Sequence, residues 1–219
     1  MSEARTDTLN VPERSRWMQR AFAWAMGRSD TAMAKAYGKL KRELFHGLTG
    51  TVVELGPGAG ANFRYFRPGV LIVGVEPNAY MQPYLAAKAE EHGLDFQLIQ
   101  GFGEDIQMAD GTADAVVSTL VLCSVYHPKR VVEEIHRVLK PGGRFVFIEH
   151  VAAPEGSFTR RCQRWVKPVW RYLGDGCCPD RETWRLFDEA GFSSVHLEDR
   201  HIKVGLPLMT RHIHGYAVK

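Results

Sequence analysis

The stretch Thr51-Val52-Val53-Glu54-Leu55-Gly56-Pro57-Gly58-Ala59-Gly60-Ala61-Asn62-Phe63 does most to constrain the fold. Five strand-forming residues run into a turn with three glycines, and the pattern after it predicts a helix around 61–66. Side chains with a Cβ would block so sharp a turn and hold the backbone away from a ligand. The amides freed there can face a polar or anionic group.

Downstream, strand-like and helix-like segments alternate, the signature of a mostly parallel sheet. Strands are expected at 51–55, 70–75, 95–100, 113–122 and 144–150. Helices are expected at 81–92, 128–139 and 181–190, with a tight turn at Lys140-Pro141-Gly142-Gly143. The end of the chain reads as a strand pair, 192–201 and 209–218, joined through Gly205-Leu206-Pro207. The expected fold is a Rossmann-like α/β domain: seven strands, mostly parallel, an antiparallel C-terminal strand, and helices on both faces.

Before this body, residues 1–12 are polar and read as loose. Residues 13–45 read as two helices broken at Gly27–Asp30, with Ser29 or Asp30 as cap. Residues 1–45 are thus expected to form an N-terminal helical lid and 46–219 the main domain. A basic amphipathic helix with Trp17 and Trp24 can rest on a membrane surface or pack over a core. Residues 151–180 break the alternation with Trp165, Trp170, Tyr172 and Gly174-Asp175-Gly176-Cys177-Cys178-Pro179, and read as an irregular substrate cover.

The chain has 219 residues, 45% of them hydrophobic, enough for one domain with a sizeable core. A net charge of +3 gives no reason to expect a nucleic-acid partner. Four cysteines without a CxxC pair suit a reducing compartment. No run of about 18 apolar residues suggests a transmembrane helix, and the N-terminus lacks a secretory signal. A cytoplasmic protein without an integral membrane segment is expected. Nothing in the sequence sets an oligomeric state.

In open α/β sheets, ligands bind beyond the carboxyl ends of the strands. The spacing of Gly56, Gly58 and Ala61 satisfies a dinucleotide pattern, so the turn alone admits either a dinucleotide or S-adenosylmethionine (SAM). Glu76, about 20 residues on, suits ribose hydroxyls in both cases. Glu54 separates the two, because an acid there suits the cationic end of an amino acid and not a pyrophosphate. Gly103-Glu104-Asp105 suits an adenine, with Glu104 or Asp105 accepting from its amine.

Taken in order, Glu54–Gly60, Val75-Glu76-Pro77-Asn78, Gly103-Glu104-Asp105, the apolar strand ending near Leu122, and Arg137–Arg144 with its Pro-Gly-Gly turn resemble the class I SAM-dependent methyltransferases. The resemblance implies SAM as cofactor, held by Tyr37, Glu54, Gly56, Gly58, Gly60, Glu76, Pro77, Met81, Phe102, Gly103, Glu104, Thr119 and Leu120. Phe102 stands where many relatives carry an acid, which points to stacking against the adenine.

A narrower likeness covers roughly 41–219. It rests on Lys41–Phe45, Gly60–Phe63, Thr119–Val125, Glu149–Ala152, Gly174–Cys178, Arg181–Trp184 and His212–Lys219. These segments resemble the methyltransferase-like seven family, whose members methylate alkyl and other small thiols; microbial enzymes acting on dithiol natural products are a related group. Animal members carry a hydrophobic N-terminal anchor. None is visible here, so membrane contact would be peripheral.

The resemblance implies S-methylation of a small lipophilic thiol. His150 is the first candidate for base or thiolate partner, with Asp175 to orient it or accept a proton. Cys123, Trp165, Trp170, Cys177, Cys178 and Arg181 are expected to line the acceptor pocket, with Phe22, Trp24 and Tyr172 able to add apolar wall. Adjacent Cys177 and Cys178 cannot readily share one tetrahedral zinc, so no metal is expected. N-, O- or C-methylation of a small lipophilic molecule is the main alternative, followed by a SAM-binding regulator without turnover.

Overall fold

A computed structural model describes residues 15–28, 30–203 and 207–219. The expected loose start at 1–12, the cap from Ser29 or the Asp30 side chain, and the Gly205-Leu206 connection lie outside the described residues.

Strands β1 (Thr51–Leu55), β2 (Leu71–Val75), β3 (Asp95–Ile99), β4 (Ala113–Thr119), β5 (Leu139–His150), β6 (Ser194–His201) and β7 (Arg211–Val218) form one sheet in the order β3-β2-β1-β4-β5-β7-β6. Strands β1 to β5 pair in parallel, and β7 runs antiparallel to both β5 and β6. This is the expected architecture.

Helices α1 (Arg16–Met26), α2 (Asp30–Phe45) and α3 (Gln82–His92) cover one face; α4 (Pro128–Val138) and the short α6 (Arg185–Asp188) cover the other. Side chains alternate between faces along each strand. Val52, Ile72, Val117 and Ile148 therefore pack towards Tyr37, Leu40, Phe45 and Leu85. Val53, Val73, Val116 and Phe147 pack towards Val131, Ile135 and Phe187. Burial on both faces is why these strands read as unbroken apolar runs.

Four expected elements differ. The helix after β1 is a single 3₁₀ turn, Phe63–Tyr65, because left-handed glycines occupy the residues that would start it. The turn at 140–143 is drawn into β5, which begins at Leu139 with a register shift opposite Ala113 and Ala115. There Gly142 takes φ +77° and gives its amide to the Lys219 carbonyl. The helix expected at 181–190 shrinks to the one turn of α6.

The fourth is the irregular cover, which contains a 16-residue helix, α5 (Phe158–Leu173), with Pro168 inside it. Ser157 caps it by accepting the Arg160 amide at 3.1 Å. Phe158, Trp165, Val169, Tyr172 and Leu173 stand exposed on α5. Among the described residues, no helix is long and apolar enough to cross a membrane.

Candidate active site

Strand order reverses beside β1 and β4, where open α/β sheets take their ligands. In the turn after β1, Gly56, Gly58 and Gly60 hold φ of +51°, +56° and +79°, a region costly to residues with a Cβ. A Cβ on Gly56 would stand 2.9 Å from Val121 Cγ2, so the loop after β4 lies directly on the turn. Glu76, just past β2, fastens the other side: Oε2 accepts from the Gly58 amide at 3.1 Å and Oε1 from the Asn78 amide at 2.9 Å. Asn78 in turn donates to the Gln19 carbonyl at 3.0 Å, tying α1 to this rim.

Glu54 lies beneath the turn. Its Oε1 accepts from Asn62 Nδ2 at 2.7 Å, and the same amide reaches Thr119 Oγ1 at 3.1 Å. Its Oε2 is buried without a hydrogen-bond partner. Burial pushes the Glu54 carboxyl up to about 7, against the pull of Asn62 and Lys41. A buried carboxylate oxygen left unpaired is costly, and a cationic ligand group is what would satisfy it. The ammonium of SAM fits that requirement, and the glycine cradle fits close approach of its backbone.

The ends of β4 and β5 form a second wall. Leu120 holds φ +59°, a sparsely populated conformation for a bulky side chain, with its amide donated to the Ile148 carbonyl at 2.8 Å. Glu149 is buried; its Oε1 accepts from Ser118 Oγ at 2.6 Å and the Val121 amide at 3.1 Å, and its Oε2 has no partner. Burial raises its pKa, against those donors.

His150, the last residue of β5, places Nε2 3.1 Å from Cys177 Sγ. Cys123 comes in from the loop after β4, and the ligating atoms of Cys123, His150 and Cys177 all lie within 4.8 Å of one another in a buried group. Trp170 of α5 and Met209 pack against these sulfurs. Hydrogen bonding with Cys123, then burial, pushes the Cys177 thiol well above its ordinary range. Beside this group, His212 on β7 faces His150 with ring centres 6.4 Å apart.

The family described as "Methyltransferase domain" matches residues 53–147. Thiol S-methyltransferase TMT1B of Homo sapiens is 43% identical over 82% of this chain and 78% of its own length. Thiol S-methyltransferase TMT1A of Homo sapiens is 40% identical over the same shares.

The chain belongs to the thiol S-methyltransferase family.

A phosphatidylethanolamine N-methyltransferase of Cereibacter sphaeroides is also similar, 32% identical over 50% of this chain and 55% of its own. Among solved structures, a SAM-dependent methyltransferase from Aquifex aeolicus superposes with a TM-score of 0.62 at 16% identity, covering 94% of this chain and 99% of the other. The likeness at that identity concerns the fold alone.

For this thiol S-methyltransferase family member, the structure redistributes several expected site residues. Gly56, Gly58, Gly60, Glu54, Glu76, Thr119 and Leu120 do surround the turn. Pro77 is exposed at the end of β2, whereas Met81 is packed into the core. Glu104, expected at an adenine, accepts at Oε1 from the Tyr126 and His127 amides at 2.7 and 3.1 Å and so braces the start of α4. Gly103 lies beneath Val131, and the Phe102 ring meets the edge of Tyr126 at 6.3 Å.

Tyr37, expected over the cofactor, commits its hydroxyl to His212 instead. Asp175 does not orient His150 by a hydrogen bond: the imidazole Nε2 faces Cys177 and Nδ1 has no partner. Asp175 occupies a left-handed turn, φ +52°, at the end of α5. Trp165 is 90% exposed and faces away from the sulfurs. Trp24 and Tyr172 are also exposed, while Phe22 packs on the core. Cys178 turns from Cys177, its thiol directed to the Gly176 carbonyl at 3.7 Å. Arg181 donates from Nη1 to the Leu122 and Val125 carbonyls, holding the loop after β4, and its Nη2 reaches Cys178 Sγ at 3.5 Å.

Asn62, Ser118, Glu149 and His212 went unremarked as site residues. Asn62, Glu149 and His212 stand inside segments that carry the family resemblance, which is the available signal; Ser118 lies one residue before such a segment.

Proposed function

We propose that this protein transfers a methyl group from SAM to the thiol of a small, lipophilic molecule. One observation carries the reading: a buried wall of two cysteine sulfurs and an imidazole stands at the ends of β4 and β5, beside the glycine cradle. Soft, polarizable sulfur suits an incoming thiol better than an amine or a phenol. The names of the relatives that match over four-fifths of the chain support the same acceptor. The N-methyltransferase relative matches only half.

When bound, SAM supplies an electrophilic methyl on a sulfonium sulfur. The chain's own work is binding and alignment. Glu54 Oε2 receives the ammonium, Glu76 takes ribose hydroxyls, and Phe102 with Gly103 flanks the adenine. Helices α1 and α2 serve as the lid, in keeping with the Asn78–Gln19 bond at the rim. In-line displacement asks for the acceptor sulfur about 3 Å from the methyl carbon, mainly a matter of position. A thiol with a pKa near 8.5 is already partly ionised at neutral pH, and His150 raises that fraction.

We assign the reaction to the cytoplasm, where the four free cysteines stay reduced. Peripheral contact with an anionic membrane surface fits the exposed apolar row on α5, flanked by exposed Arg161, Arg164 and Arg171. The test of the reaction incubates the pure protein with SAM and matched panels of thiols, amines and phenols. S-adenosylhomocysteine and methylated product are followed by mass spectrometry. Methylated thiols are expected; turnover of amines or phenols with no thiol product overturns the reading.

A further inference from the structure

We propose that Cys123, His150 and Cys177 form a binding site for a zinc ion whose fourth position takes the acceptor thiol. The inference rests on the S-methylation reading and supplies the means by which His150 favours the thiolate.

The argument starts from the ligand set. Two thiols and one imidazole from three separate segments converge in a buried group, every ligating atom within 4.8 Å of the others. A tetrahedral zinc with Zn–S of about 2.3 Å and Zn–N of about 2.0 Å sets its ligands roughly 3.5–3.8 Å apart. The His150–Cys177 separation of 3.1 Å brackets that value from below, so small side-chain rotations suffice. Three protein ligands with one open position is the arrangement of catalytic zinc, and two sulfurs with one nitrogen select a soft d¹⁰ ion over magnesium or calcium.

The surroundings point the same way. Trp170 packs on the sulfurs with its Nε1–H buried and unpartnered, a donor that a metal-bound thiolate would satisfy. Buried polar atoms without partners mark a site whose occupants complete it. The vicinal pair Cys177-Cys178 alone would make a poor zinc site. The fold answers by turning Cys178 away and bringing in Cys123 and His150.

The chemistry balances. Zinc binding releases the two cysteine protons. The acceptor thiol enters the fourth position and gives its proton to solvent. Its sulfur then attacks the methyl carbon while the carbon–sulfur bond of the sulfonium breaks, that electron pair staying on the departing sulfur. The product is a neutral thioether, a poor ligand that leaves the position for the next thiol.

The test uses the full chain, stripped with a chelator and titrated with Co²⁺ as a spectroscopic stand-in. One equivalent is expected to give a thiolate charge-transfer band and tetrahedral visible bands, which shift when an alkyl thiol is added. Cys123→Ser and Cys177→Ser should each weaken cobalt binding beyond the ~10–100-fold typical of losing an outer partner, and His150→Ala should weaken it and change the visible bands. Cys162→Ser and Cys178→Ser should retain the spectrum. Absence of one-to-one binding by the wild-type chain, or bands indifferent to Cys123→Ser and Cys177→Ser, overturns the proposal without recourse to any variant's activity. A metal-free chain that methylates thiols at the full rate also overturns the metal and leaves S-methylation standing. A zinc-loaded chain with the expected spectrum that methylates no thiol overturns the acceptor reading instead.

Discussion

Tyr37 on α2 donates its hydroxyl to Nε2 of His212 on β7 at 2.8 Å, joining residues 175 positions apart in a buried contact. The Thr210 carbonyl, which only accepts, fixes the proton of His212 on Nδ1 at 3.0 Å. Nε2 is therefore the acceptor, and the imidazole is neutral. Burial holds its pKa down to about 4, against an ordinary 6.5. The pair fastens the N-terminal helices to the strand next to His150.

Stability should record this. Between pH 6.5 and 4 the unfolded chain binds a proton at this histidine that the folded chain refuses, so the contribution of His212 falls as pH drops through that window. The full span is worth on the order of 3 kcal/mol. In urea denaturation at pH 7.0 and 4.5, His212→Gln should lose less stability on acidification than the wild type does. Tyr37→Phe should cost about 1–3 kcal/mol at pH 7 by leaving Nε2 buried and unpaired. Equal acid sensitivity in His212→Gln and wild type would contradict the neutral, buried imidazole.

Glu54 gives the cofactor a pH signature. Its carboxyl is raised to about 7 in the folded chain without ligand, so the folded state holds a proton there across a range in which the unfolded state has lost it. Its contribution to stability therefore falls as pH rises from about 4.5 to 7, opposite in sign to that of His212. An ammonium placed on Oε2 needs the ionised carboxylate, so SAM affinity should rise as pH increases through 7. Glu54→Gln keeps an oxygen for the Asn62 amide and removes the charge. Isothermal titration at pH 6 and 8 should show tighter binding at pH 8 in the wild type, and weak, nearly pH-independent binding in the variant. A wild-type affinity flat across that range would place the ammonium elsewhere.

Glu76 serves the protein and the ribose together. Glu76→Ala frees the Gly58 and Asn78 amides as well as removing the hydroxyl acceptor. Hydrogen bonds to a charged group contribute about 1.5–3 kcal/mol each, so SAM affinity should fall about a hundredfold or more. The thermal unfolding temperature without ligand should fall as well, because both amides are buried in the ligand-free chain and would be left unpaired. Unchanged SAM binding would remove Glu76 from the ribose.

The sheet was legible because a parallel sheet covered on both faces writes its strands as apolar runs, and 51–55 or 113–119 admit no other reading. The glycine turn was legible because its φ values exclude residues with a Cβ. What failed was local structure decided by distant partners. The helix after β1 gave way to left-handed glycines held against Val121 and Glu76. The cover formed a regular helix although its prolines and aromatic residues suggested an irregular segment. Glu104, Arg181 and Tyr37 have the chemistry of ligand-binding groups, yet each is spent on the protein: on the amides before α4, on the carbonyls after β4, and on His212. Sequence spacing carries no trace of those long-range bonds. The Cys123–His150–Cys177 group shows the same limit, since the adjacent Cys177-Cys178 pair drew attention that belongs to residues 27 and 54 positions away.

The exposed row on α5 leads to the last prediction. Phe158, Trp165, Val169 and Tyr172 recur at helical spacing and are 64–90% exposed, a large cost in apolar hydration unless another phase receives them. Trp and Tyr favour the headgroup level of a bilayer, and neighbouring arginines favour anionic lipid. Trp170, one residue from Val169, packs instead on the buried sulfurs. The same helix therefore links the surface that would meet lipid to the wall that would meet a lipophilic thiol. Vesicles containing phosphatidylserine should retain the protein in co-sedimentation, and neutral phosphatidylcholine vesicles should retain less. Trp165→Ala with Tyr172→Ala should lower binding several-fold, while turnover of a water-soluble thiol in the absence of vesicles stays near wild type. Vesicle binding indifferent to both substitutions and to lipid charge would rule out α5 as the lipid-facing surface.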